Sequence, residues 1–236
     1  MIFWFRGCPS TIPNCAMTNS SFFLDSLYPF QDEVLKVIRL VDTGFYLTGG
    51  TAASRGYLHH RFSDDLDLFV NDNEQFGLWV DRIIRALVDQ SRWLSQISLR
   101  EERFVRLNLI RNDITLKIEM INDVPSRVGI VVDHPTLGRL DTAENILANK
   151  VTALLDREEP RDFADIWGFC CKMGLSLQEA ISKSESKAAG IFQADLARLL
   201  CTVTEADWAA VRWESAPPVD EYLSELNTLG EKLLLL

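Results

Sequence analysis

The sequence is poor in the residues that build zinc, disulfide and membrane proteins. Histidine occurs only 3 times in 236 residues, and no HExxH motif is present. The 5 cysteines, at positions 8, 15, 170, 171 and 201, are odd in number and form no CxxC pair. They suggest neither a disulfide framework nor a zinc knuckle, and they fit a reducing, cytoplasmic setting. No apolar run approaches the roughly 18–20 residues that span a bilayer. Ile2-Phe3-Trp4-Phe5 is too short for a signal peptide and is followed by polar and turn residues. Positive charge is in deficit: Lys plus Arg total 24 against 34 for Asp plus Glu, a net charge of -10. A general polyanion-binding surface is therefore not expected, although a local basic site is compatible with that balance.

The remaining composition is that of an ordinary globular chain, with 47% hydrophobic and 25% charged residues. It is long enough to bury a sizeable core without staples. Residues 1–17 mix aromatic, Cys and Pro residues without periodicity, and are expected to be a non-native or flexible extension, with Met17 as the native start. The alternative is a short arm whose aromatic residues pack on the domain. From Pro29, Val34, Leu35, Val37, Ile38 and Val41 mark a helix that Gly44 stops. Phe45–Thr48 reads as a short strand ended by Gly49-Gly50, and Ala52–Leu58 as a short helix. A strand at Leu66–Val70 and an amphipathic helix at Glu74–Asp89 come next. Strand-like runs at Trp93–Leu99, Phe104–Ile110 and Ile114–Ile121 follow, with another proposed at Arg127–Val132. Asp141-Thr-Ala-Glu144 resembles a capping box, and Pro160 suits the first turn of a further helix. The remaining chain reads as helices broken near Gly174, Gly190 and Pro217-Pro218. The organisation is an α/β region over 18–140 and a helical region over 141–236.

Three features carry chemistry. Gly49-Gly50-Thr51, between a strand and a helix, lets backbone approach a ligand closely and suits an anion; it also reads as a plain tight connection. In Ser63-Asp64-Asp65-Leu66-Asp67-Leu68-Phe69, strand alternation puts Leu66, Leu68 and Val70 on one face and Asp65 and Asp67 on the other. Two carboxylates about 6.5 Å apart along a strand can hold divalent cations, or can line the solvated face of an edge strand. In Asp113–Ile121, Ile114, Leu116, Ile118 and Met120 form the core face. Thr115, Lys117 and Glu119 form the polar one, so Glu119 can supply a third acid. Lys150 and Arg157, seven residues apart on one helix face, can track a triphosphate or simply be solvated. Asp162 and Asp165 share a face suited to fixing these cations, and Arg161–Asp165 is an i,i+4 pair. His59-His60 side chains diverge, which argues against a metal pair.

The order of strand, Gly-Gly turn, helix, Asp-x-Asp strand and later strand acid resembles the nucleotidyltransferase fold of the DNA polymerase β superfamily. Leu47-Thr-Gly-Gly-Thr-Ala52, Arg61–Phe69, Lys117-Ile-Glu119, Glu144–Lys150 and Arg161–Trp167 together resemble the AbiEii/AbiGii-type nucleotidyltransferases. That family includes toxins of bacterial abortive-infection and toxin–antitoxin systems. The resemblance spans roughly residues 45–170. It implies a mixed sheet with flanking helices and a C-terminal helical domain. It implies a phosphate-binding turn at Gly49, Gly50 and Thr51, and metal carboxylates at Asp65, Asp67 and Glu119 holding Mg²⁺. It also implies nucleotide contacts from Lys150 and Arg157, and a further catalytic acid at Asp162. The implied reaction is attack of an acceptor hydroxyl on the α-phosphorus of an NTP, with RNA, such as a tRNA 3′ end, as acceptor and a separately encoded antitoxin as partner. Transfer to a small molecule or a protein, kinase-like γ-phosphoryl transfer and a non-catalytic NTP-binding module are the rival readings.

Overall fold

A computed structural model describes residues 20–184 and 193–235. The expected extension at 1–17 and the break near Gly190 lie outside the described residues.

A mixed seven-stranded sheet forms the frame, in the order β3-β4-β5-β2-β1-β7-β6. Its strands are β1 (Tyr46–Thr48), β2 (Leu66–Asn71), β3 (Leu94–Arg100), β4 (Phe104–Arg111), β5 (Ile114–Asp123), β6 (Val132–His134) and β7 (Gly138–Leu140). Strand alternation holds at the centre. Leu66, Leu68 and Val70 of β2 are buried beside Leu116, Ile118 and Met120 of β5, which leaves the intervening residues on the opposite face. β2 and β5 run parallel, pairing Asp67 with Glu119, and β4 pairs antiparallel with β5, setting Arg106 opposite Glu119.

Helices cover the sheet. A π-helical turn at Phe23–Leu27 leads into α1 (Tyr28–Ile38), and α2 (Gly49–Thr51) continues as a π-helical segment, Ala52–Leu58. In α3 (Phe76–Val88), Phe76, Val80, Ile83 and Leu87 recur at helical spacing and are buried. The C-terminal part holds α4 (Ala143–Arg157), α5 (Pro160–Trp167) with a π-helical extension Gly168–Lys172, α6 (Leu177–Ser184), α7 (Gln193–Cys201), α8 (Glu205–Ala210) and α9 (Val219–Leu234). The buried apolar residues form one cluster from Phe23 to Leu233, so the core continues across the change of character at residue 140.

Local sequence sets the entry of α4. Thr142, rather than Asp141, is the N-cap, and its hydroxyl accepts from Asn145 N. Asp141 is instead fully buried, where its carboxylate accepts from Thr48 Oγ1, Asn145 Nδ2 and Arg127. It thereby ties the end of β1 to the start of α4. Two sequence expectations are corrected. α1 ends at Ile38, and no strand spans 127–132; the short β6 and β7 follow instead.

Candidate active site

One cleft of about 660 Å³ lies between the polar face of the central strands and α4. Gly49 and Gly50, Asp65, Asp67, Glu119, Lys150 and Arg157 all line it. Five scattered sequence positions plus the glycine turn thus converge on one space.

The sheet supplies the acids. Asp67 and Glu119 are register partners on β2 and β5, and Asp65 lies one residue before β2. Burial, reinforced by Glu119 and Asp65, pushes the Asp67 carboxyl up to about 6. Lys117 Nζ stands 2.8 Å from Asp65 Oδ2 and 3.3 Å from Glu119 Oε1, and Arg106 Nε stands 2.8 Å from Glu119 Oε1. Burial favours the neutral lysine, but Asp65 and Glu119 hold the Lys117 ammonium above the usual lysine range. Three carboxylates on neighbouring strands are hard oxygen donors of the kind Mg²⁺ prefers, and the Lys117 ammonium already bridges two of them. The donor chemistry therefore fits the ion. Among the described residues, however, no group of three acids, histidines or cysteines has ligating geometry.

The glycine turn has a steric basis. Gly49 adopts φ +66°, and a Cβ there would lie 2.1 Å from Asp67 Oδ2. Gly50 rests over Arg61 and Ser63, whose polar atoms would be 2.9 Å from an added Cβ. Thr51 departs from expectation. It is fully buried, and its hydroxyl donates to the Asp65 carbonyl and hydrogen-bonds Ser63 Oγ. It fixes the aspartate loop rather than presenting its hydroxyl to the cleft.

Across the cleft, two buried acids organise the cations. Asp165 accepts from Arg61 in a two-pronged pair, both arms 2.7 Å, and lies 2.6 Å from Lys150 Nζ and 3.0 Å from His60 Nε2. Asp162 lies 2.7 Å from Lys150 Nζ and also accepts from Arg157 Nε at 2.7 Å. Burial would raise the Asp165 carboxyl, but Arg61 and Lys150 hold it well below the usual carboxylate range. Arg61, Lys150 and Arg157 outnumber Asp162 and Asp165 by one positive charge. Asp162 thus holds Lys150 and Arg157, and Asp165 holds Lys150, on the face they share along α5. Lys150 is only 5% exposed and Asp162 is fully buried behind the cations, while the expected Arg161–Asp165 pair is corrected: Asp165 pairs with Arg61.

Residues without a sequence motif complete the loop that carries Asp65. Gln31 Nε2 donates to the Asp64 carbonyl, and Tyr28 Oη accepts from Ser63 N. Phe62 N donates to the Arg212 carbonyl and Glu214 N to the His60 carbonyl, while Arg212 Nη2 meets Asp64 Oδ2 at 2.7 Å. Arg61 was visible beside the aspartates in sequence, but nothing local marks Arg212.

A glycine turn and three strand carboxylates facing a helix-borne cation cluster, on a mixed sheet, define a nucleotidyltransferase. The model of the AbiEii family, described as a nucleotidyl transferase toxin of a type IV toxin–antitoxin system, matches residues 37–216. The chain belongs to that family. No curated protein matches it significantly. Similar solved structures include a candidate nucleotidyltransferase from H. pylori, with TM-score 0.59 and 20% identity, covering 87% of this chain and 93% of that one. JHP933 from Helicobacter pylori gives TM-score 0.58 and 21% identity, covering 87% and 90%. MenT4, a nucleotidyltransferase toxin from Mycobacterium tuberculosis H37Rv, gives 0.52 and 17%, covering 89% and 83%. At these identities the likeness is one of fold. Among the described residues, no helix is long and apolar enough to cross a membrane.

Proposed function

We propose that the chain transfers a nucleoside monophosphate from an NTP to the 3′ hydroxyl of an RNA, a tRNA in particular, and that a separately encoded antitoxin restrains it. The carrying observation is the opposition across one cleft of Asp65, Asp67 and Glu119 on the sheet side and Lys150 and Arg157 on α4. Mg²⁺ held by Asp65, Asp67 and Glu119 would polarise the reacting phosphoryl group. Gly49-Gly50 admits the polyphosphate to the backbone. Lys150 and Arg157, aimed by Asp162, offset the charge that develops on the departing pyrophosphate. Asp165 keeps Arg61 beneath the turn, so this end of the cleft stays positive.

Support for a polyanionic acceptor comes from charge placement. The chain is acidic overall, at -10, yet the cleft is lined by seven Lys and Arg side chains against six Asp and Glu, so it is locally balanced and would turn positive once a cation neutralised its strand acids. The test is to supply α-labelled NTPs with intact tRNA and with tRNA whose 3′ terminus has been oxidised by periodate. Label on intact tRNA alone is expected. Equal labelling of both would move the acceptor away from the 3′ end, and labelling of neither would move it away from tRNA.

A further inference from the structure

Side-chain cations already sit on the acids assigned to metal. Alternation along β5 sends Lys117 and Glu119 to the same face, and Arg106 lies opposite Glu119 on β4. Lys117 Nζ consequently bridges Asp65 and Glu119, at 2.8 and 3.3 Å. An ammonium in that position takes up carboxylate oxygens that a divalent cation would need, and it repels a second cation. The two lysines of the cleft differ in one respect. Lys150, with its side chain 7% exposed, is clasped between two fully buried aspartates. Lys117 is 35% exposed, at the cleft surface, on a flexible four-carbon stem.

We propose that Lys117 is the resident counter-ion of the site: it holds Asp65 and Glu119 in the nucleotide-free protein and yields them to the metal when a polyphosphate enters, taking a phosphate oxygen in exchange. The proposal rests on the reading of Asp65 and Glu119 as metal carboxylates. It makes the loading of metal and polyphosphate mutually reinforcing, since each relieves a contact that opposes the other. A divalent cation alone meets an occupied pair of acids. A polyphosphate alone meets acids it must avoid, with Lys117 turned toward them. Together they exchange partners with no net loss of ion pairs.

Lys117→Met keeps the stem and removes the charge, Lys117→Gln does so with a polar end, and Lys117→Arg keeps the charge. Thermal melting checks that each is folded. Nucleotide-free Lys117→Met and Lys117→Gln are expected to bind Mn²⁺ about tenfold tighter than the parent protein, read from the spin-resonance signal of free Mn²⁺. The same variants should bind inorganic tripolyphosphate, without metal, about fivefold or more weakly by calorimetry. Lys117→Arg should stay near the parent in both. Opposite signs for the two ligands distinguish a counter-ion from a residue that merely supports the fold. Unchanged or weaker Mn²⁺ binding in the neutral variants overturns the proposal, as does unchanged tripolyphosphate binding. If the parent and every variant bind tripolyphosphate but none binds Mn²⁺ in any state, the metal reading of the carboxylates fails and the counter-ion role falls with it.

Discussion

Gly49 and Asp67 share a space that has no room for a side chain: a Cβ on Gly49 would lie 2.1 Å from Asp67 Oδ2. With φ at +66°, an L residue there also costs about 1–2 kcal/mol in backbone strain. Gly49→Ala must therefore displace the carboxylate on which the site depends. Turnover should fall about a hundredfold or more, and the melting temperature by several degrees. Steady-state kinetics and a thermal melt check both, and normal turnover would show that the close approach has no function.

Lys150→Ala should destabilise the protein as well as inactivate it. The lysine is buried between Asp162 and Asp165, and its removal leaves two fully buried carboxylates short of a partner. Breaking a buried pair in this way costs about 3–5 kcal/mol. Denaturant unfolding measures it, and a change under about 0.5 kcal/mol, the usual range for a surface substitution, would contradict the packing described. The sequence alone supports the opposite expectation, that an exposed lysine contributes little to folding.

That reversal shows where sequence reading stops. Alternation in Leu66–Val70 and Ile114–Ile121 was legible because a strand repeats every two residues, and it placed Asp67 and Glu119 correctly. Asp162 and Asp165 were legible as partners for Lys150 from their shared helix face, but the burial of all three was not, because helix spacing does not show what covers that face. Arg61, which completes the cluster, is 104 residues from Asp165. β6 and β7 have three residues each, too few for a period to show. The 212–214 segment reaches the aspartate loop through backbone hydrogen bonds and Arg212, none of which a motif records.

Asp67→Asn should raise stability while abolishing turnover. Its carboxyl is raised from about 3.8 to about 6 by burial, Glu119 and Asp65, so the folded protein holds a proton that the unfolded chain releases. An acid with a raised folded-state value favours folding at low pH, and that contribution is lost as pH rises from about 4 to 6. In metal-free buffer the variant should melt higher than the parent at pH 8, and the gap should shrink as pH falls below about 6. A gap that stays constant with pH would contradict the shift.

Acid should act on the Asp165 cluster in the other direction. Burial lowers the His60 value below 6.5, and Arg61 with Lys150 lowers that of Asp165 despite its burial. Both groups bind protons more readily when unfolded. Stability should therefore fall as pH drops through about 6.5, and fall again below about 4. Unfolding free energies measured from pH 8 to 3 should show both steps, with His60→Gln flattening the first. A first step of undiminished size in the variant would exclude His60 as its source.

The most direct measurement is a single-turnover reaction with NTP labelled at the α or the γ phosphate, Mg²⁺ and total cellular RNA, run beside Asp67→Asn. Label from the α position on RNA, dependent on both Mg²⁺ and Asp67, is the predicted result. Transfer of the γ label, or α label that persists in Asp67→Asn, would contradict nucleotidyl transfer at this site.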